Sequence, residues 1–102
     1  MNARFADLHA KVAPLLKPYA QRISVFGSYA REEETPQSDI DLLLMLRPSD
    51  QRPPLGLFEI IRLEKDLEKR LGREVDLVTE GGISPRIKSS GEKEKVILYE
   101  EV

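Results

Sequence analysis

Apolar residues at Phe5, Leu8, Val12, Leu15, Leu16 and Tyr19 return every three or four positions. That is the spacing of one helix face, and it predicts a first helix over 3–19. Pro14 falls inside it and is expected to kink or split it, because proline lacks an N–H and crowds the preceding turn. Residues 22–26 alternate polar and apolar and end at Gly27, the pattern of a short strand running into a turn. Ser28 is suited to cap a helical turn over 28–31. Residues 32–38 are charged and contain Pro36, which predicts a loop. Residues 40–46 are apolar except for Asp41, so a buried central strand is expected. After a proline-containing loop over 47–54, apolar positions 57, 60, 61, 67 and 71 mark a second helix, with Glu64, Lys65, Glu68 and Lys69 on its other face. Gly72 is a natural stop. A third strand follows over 74–79. Gly81-Gly82 is a break, and Ser84-Pro85 predicts the start of a third helix. Residues 96–99 read either as a fourth strand or as an extension of that helix. The order describes an α/β or α+β domain, a small mixed sheet flanked by helices.

The chain has 102 residues, a length expected to form one domain over 1–102. It has no Cys, which excludes a disulfide framework, a thiolate zinc site and a cysteine nucleophile. Its one His, His9, is too little for a two-histidine metal site and is expected on the surface. Sixteen Lys and Arg against eighteen Asp and Glu leave a formal charge of −2. This balance gives no general hold on nucleic acid or on an anionic membrane. No apolar run approaches the ~20 residues needed to span a bilayer, and the N-terminus lacks a signal-peptide pattern. The cytoplasm is the expected location. A phosphorylated ligand would have to be held by something besides side-chain charge.

Three aspartates interrupt apolar strands: Asp39 and Asp41 at the second, Asp76 in the third. Residues two apart in a strand point to the same face. Asp39 and Asp41 should therefore project together while Ile40, Leu42 and Leu44 face the packing. Two carboxylates side by side in an apolar setting are costly unless a cation lies between them. Carboxylate oxygens are ligands that magnesium prefers, and a few of them leave room for phosphate and water. If the third strand lies beside the second, Asp76 joins the group. The plainer reading is a solvated strand end, with Asp39 capping a turn and Asp76 on an edge strand. Gly27-Ser28 follows the first strand. Glycine lets the backbone approach a phosphate closely, and the amides of a helix start favour anions. A nucleoside triphosphate with magnesium would use every one of these parts.

The string Gly27-Ser28, ten residues, then Asp39-Ile40-Asp41 resembles the signature of the minimal nucleotidyltransferases of the DNA polymerase β superfamily. Asp76 in Glu74-Val75-Asp76-Leu77-Val78 matches the family's third carboxylate. The ending Val96-Ile97-Leu98-Tyr99-Glu100 resembles the family's usual close. The resemblance spans roughly 20–100, with Glu32 standing where many members have Gly. It implies a polymerase-β-like nucleotidyltransferase fold and two-metal phosphoryl chemistry. Asp39, Asp41 and Asp76 would be the catalytic metal ligands for two magnesium ions. Gly27 and Ser28 would grip the outer phosphates of ATP.

The resemblance also implies a partner. Minimal transferases of this kind are commonly encoded beside a small helical HEPN-class toxin and act as its antitoxin, some by adding AMP to a tyrosine of the toxin, so the neighbouring gene is expected to encode the partner. Two other readings stand beside this one: a transferase for a small molecule, with the acceptor site built by a homo-oligomer, and a binding-only antitoxin that masks its partner. Among residues left without a role, Tyr29 is expected to pack against the strand rather than stack on a base. The 57–71 stripe is expected to be core rather than a zipper.

Overall fold

A computed structural model describes residues 3–27, 29–30, 35, 38–79 and 95–101. The third helix expected after Ser84-Pro85, Ser28 and the acidic run 32–34 lie outside the described residues.

The first apolar periodicity forms α1, Ala3–Leu16, which buries Phe5, Leu8, Val12, Ala13 and Leu16. Pro14 falls in its last turn and is exposed. The helix does not split there but stops soon after, and 17–19 form a turn in which the Tyr19 N–H donates to the Leu16 carbonyl at 3.0 Å. His9 is half-buried rather than on the open surface, with its ring 6.2 Å from that of Tyr99.

Four strands follow: β1 Ala20–Phe26, β2 Ile40–Leu46, β3 Val75–Thr79 and β4 Val96–Glu100. Residues 96–100 are therefore strand, not helix. The sheet order is β3-β2-β1-β4. β1 pairs antiparallel with both β2 and β4, while β2 and β3 run parallel. A parallel pair needs a crossover, because the chain must return to the end it started from. Here the crossover is α2, Leu57–Leu71.

Helix α2 ends at Gly72, whose φ of 70° is left-handed and whose N–H reaches the Glu68 carbonyl at 2.8 Å. Glycine is the residue that adopts this conformation without a Cβ penalty. Helix α2 buries Leu63 and Leu67. Its expected core positions 57 and 61 instead face out, Leu57 at 70% and Ile61 at 41% exposure. The reason is the helix's attachment, which uses its acidic side chains as well as its apolar ones. The Glu64 carboxylate accepts from the Leu77 N–H at 2.9 Å, and Glu68 from the Val75 N–H at 3.2 Å.

β3 is an edge strand. The Ile40 N–H bonds to the Glu74 carbonyl at 2.9 Å, so in the parallel ladder Val75 and Leu77 turn their N–H groups to the free edge. Two glutamates of α2 satisfy that edge, which would otherwise invite pairing with another chain.

Both helices pack on one sheet face. Phe5, Leu8, Val12 and Leu16 of α1 and Leu63 and Leu67 of α2 join Ile23, Val25, Ile40, Leu42, Leu44, Val75 and Leu98 in one cluster. The alternation expected in β2 holds for Ile40, Leu42 and Leu44. Leu43, on the opposite face, is buried as well. That opposite face is where the aspartates stand.

Candidate active site

One rung of the sheet builds the site. Phe26 of β1 is register partner to Asp41 of β2, and Asp41 to Asp76 of β3. Neighbouring residues in register project to the same face, so the two carboxyl groups meet. When protonated, the Asp41 carboxyl can donate to Asp76. Asp39, one residue before β2, is exposed, and its charge also reaches Asp41. The Asp41 carboxyl is raised from an ordinary 3.8 to about 6, first by burial, then by repulsion from Asp76, the hydrogen bond to Asp76, and repulsion from Asp39. A cation bound between the carboxyl groups would relieve the same repulsion.

The next residue along β1 is Gly27. Its φ is +75°, a conformation that L side chains rarely adopt. A Cβ there would lie 2.7 Å from the Asp41 Oδ2. Glycine is thus required twice, by its backbone and by the carboxylate against it. The turn that starts the β1–β2 connection and the carboxyl group at the heart of the rung are in direct contact.

The connection itself is pinned from two directions. Arg4 of α1 donates to the Tyr29 carbonyl at 2.6 Å, and its guanidinium carbon lies 4.0 Å from the centre of the Tyr29 ring. Phe5 meets the same ring edge-on, with centroids 6.2 Å apart. Arg73 lies 5.7 Å from that ring and donates to the Thr35 carbonyl at 3.1 Å. Tyr29 is therefore packed on protein, as expected, though the groups against its ring are Arg4 and Phe5 of α1 and Arg73. Arg4 and Arg73 carry no motif, and nothing in the sequence links them to Tyr29. Only the fold brings together residues 25 and 44 positions away.

The donor set can be tested against magnesium. Among the described residues, no three His, Asp or Glu side chains gather closely enough to form a metal site by themselves. Asp41 and Asp76 meet; Asp39 stands beside them rather than completing a cage. Magnesium is commonly bound through one or two carboxylates, with phosphate oxygens of the substrate and water filling the remaining positions. Two facing hard-oxygen donors, one of them half-buried and repelled by the others, fit that mode.

Residues 11–98 match the model of the family described as a nucleotidyltransferase domain. The chain belongs to that family. As a nucleotidyltransferase it is an enzyme. It is 40% identical over 83 residues to a candidate protein adenylyltransferase of Methanocaldococcus jannaschii, spanning 80% of this chain and 84% of the relative. Its fold superposes on a chain of a toxin–antitoxin crystal structure with AMP-PNP, with a TM-score of 0.77 and 25% identity over 90% of this chain and 73% of that one. A complex of a tri-AMPylated HEPN toxin with its MNT antitoxin from Shewanella oneidensis shares the fold, with a TM-score of 0.69 and 22% identity over 98% of this chain and 73% of that one. The alpha-plus-beta architecture expected from the sequence is thus that of the minimal nucleotidyltransferases.

Proposed function

We propose that this nucleotidyltransferase moves AMP from ATP to a hydroxyl of a partner protein, a tyrosine of a HEPN-class toxin, and so acts as its antitoxin in the cytoplasm. The observation that carries this reading is the Asp41–Asp76 carboxyl pair beside the turn at Gly27. The similarity to a candidate protein adenylyltransferase and to a chain of a toxin–antitoxin crystal structure with AMP-PNP supports the choice of donor and acceptor.

In this reading Asp41 and Asp76 hold the magnesium ions, with Asp39 as the remaining ligand. When bound, the metal would balance the triphosphate charge and stabilise the attacking and leaving oxygens at the α-phosphate. Gly27 and Ser28, the pair that matches the family's Gly-Ser, would grip the outer phosphates. Arg4 and Arg73 fix the connection that carries them. The bond broken joins the α-phosphorus to the oxygen bridging to the β-phosphorus, pyrophosphate leaves, and the acceptor oxygen, its proton passed by way of Asp76 to solvent, bonds to the α-phosphorus and so takes the adenylyl group.

The test is to incubate the chain with α-labelled ATP, magnesium and the product of the neighbouring gene. Label should appear on the partner, disappear when the accepting tyrosine is changed to Phe, and be absent with Asp41→Asn. A stable complex that never takes label would establish masking instead. Label on neither protein, together with transfer to a small molecule, would establish the small-acceptor reading.

A further inference from the structure

Helix α2 presents an outward face that is exposed and, among the described residues, packs against none of the core. At about 100° per residue, Leu57, Phe58, Ile61, Arg62, Lys65 and Lys69 lie opposite the buried Leu63 and Leu67. All six are exposed, Phe58 at 79%.

The acidic residues of the helix point elsewhere or are engaged. Glu59 accepts from the Gly56 N–H at 3.2 Å, Glu64 and Glu68 hold the β3 edge, and Asp66 is half-buried. Lys65 reaches Glu68 only at 3.9 Å. Arg62 and Lys69 have no carboxylate partner among the described residues. A chain of net charge −2 therefore shows one face that is apolar at its N-terminal end and cationic over the rest.

We propose that this face docks an acidic protein surface with an apolar centre, that of the protein which accepts the nucleotide. The inference rests on the protein-acceptor reading above and adds where that acceptor binds. Charge complementarity selects the occupant. A second copy is disfavoured, because the carboxylate nearest the face, Glu68, is already engaged by the Val75 N–H and by Lys65, leaving nothing on the face to meet Arg62 and Lys69. An anionic membrane is disfavoured, because an interfacial helix keeps its apolar stripe along its whole length; here that stripe is packed into the core. RNA would leave the aliphatic Leu57 and Ile61 without a use. The carboxyl pair stands on the other face of the sheet, so an acceptor held on α2 must reach around the β3 edge to bring its hydroxyl to the site, which suits a macromolecule held by remote contacts.

The test is calorimetric titration of the chain with the neighbouring-gene product, comparing wild type with the triple variant Phe58→Ser, Lys65→Glu, Lys69→Glu. All three positions are exposed, so an unchanged melting temperature and unchanged AMP-PNP affinity are the folding controls. The triple variant should bind the partner at least tenfold more weakly, and its KM for the partner in AMP transfer should rise by a similar factor. Wild-type binding should weaken with added salt. Equal partner affinity in the two proteins would overturn the docking face while leaving the transferase reading intact. No binding and no transfer by wild type would overturn both. Binding of phosphatidylserine vesicles, single-stranded RNA or a second copy by wild type, lost in the variant without loss of partner binding, would reassign the face.

Discussion

Gly27 and Asp41 occupy one another's space, and that fixes what each can become. Gly27→Ala would force a left-handed backbone costing about 1–2 kcal/mol and drive a methyl group to 2.7 Å from the Asp41 Oδ2. The carboxyl must then move off the rung it shares with Asp76. The variant should melt earlier and lose at least tenfold in transfer, read by thermal unfolding and label incorporation. Asp41→Asn should separate these effects. The folded-state value of about 6 lies above the ordinary 3.8, so between those pH values the folded protein binds more protons than the unfolded chain. Stability from this group is present in full below pH 3.8 and is lost as pH rises through 6. Asn carries no charge and can donate to Asp76, so the variant should be the more stable protein at pH 8 without metal. The gain is about 1 kcal/mol once the shift is discounted for a half-exposed group. It should shrink towards zero by pH 4, while transfer is lost at every pH. A variant less stable than wild type at pH 8 would count against the strained pair. The Gly-Ser and Asp-x-Asp spacing made these residues visible in the sequence. Their contact was not visible, because it follows from the pairing of Phe26 with Asp41 across the sheet.

At the scale of elements, periodicity located both helices and the first three strands, because each buries one face against a common core, and left 96–99 open between strand and helix. Periodicity could not say how α2 is held. Glu64 and Glu68 look like a solvated face in sequence, yet they cap the N–H groups of Leu77 and Val75. Their role depends on β3 being an edge strand, and strand order is not written in local pattern. The same attachment explains why positions 57 and 61 turn outward while 63 and 67 are buried. Asp76 lies between Val75 and Leu77, so this clamp sets the height of its carboxyl on the rung. Glu64→Ala should cost about 1 kcal/mol, the net worth of one hydrogen bond, and speed amide exchange at Leu77. It should also reduce transfer several-fold, because Asp76 loses its fixed position. Glu64→Gln keeps an acceptor oxygen and should restore most of both. Slowed transfer with unchanged Leu77 exchange would break the link between edge and site.

For the whole molecule, the carboxyl pair makes the apo fold a poised receptor for cations. Two acidic groups stand on paired residues of a sheet whose other face carries the core, so the backbone holds them close and only side-chain rotation can part them. Any ion that binds this pair in the folded state alone stabilises the protein by mass action, about 2.7 kcal/mol at a hundredfold excess over its dissociation constant. Magnesium should therefore raise the melting temperature at pH 8, relative to potassium chloride of matched ionic strength. Protons compete for the same oxygens. Below about pH 6 Asp41 is protonated in the folded state, and the magnesium-induced shift should contract there. Asp41→Asn should abolish it at all pH values, since one of the two facing donors is gone. The exposed cationic face of α2 should have no part in this response, because it offers magnesium no carboxylate. The decisive measurement is a set of thermal scans at pH 8 and pH 5, with and without magnesium, for wild type and Asp41→Asn. An undiminished shift at pH 5, or an equal shift in the variant, would place the stabilising ion elsewhere on the molecule and remove the reason for assigning the metal to this rung.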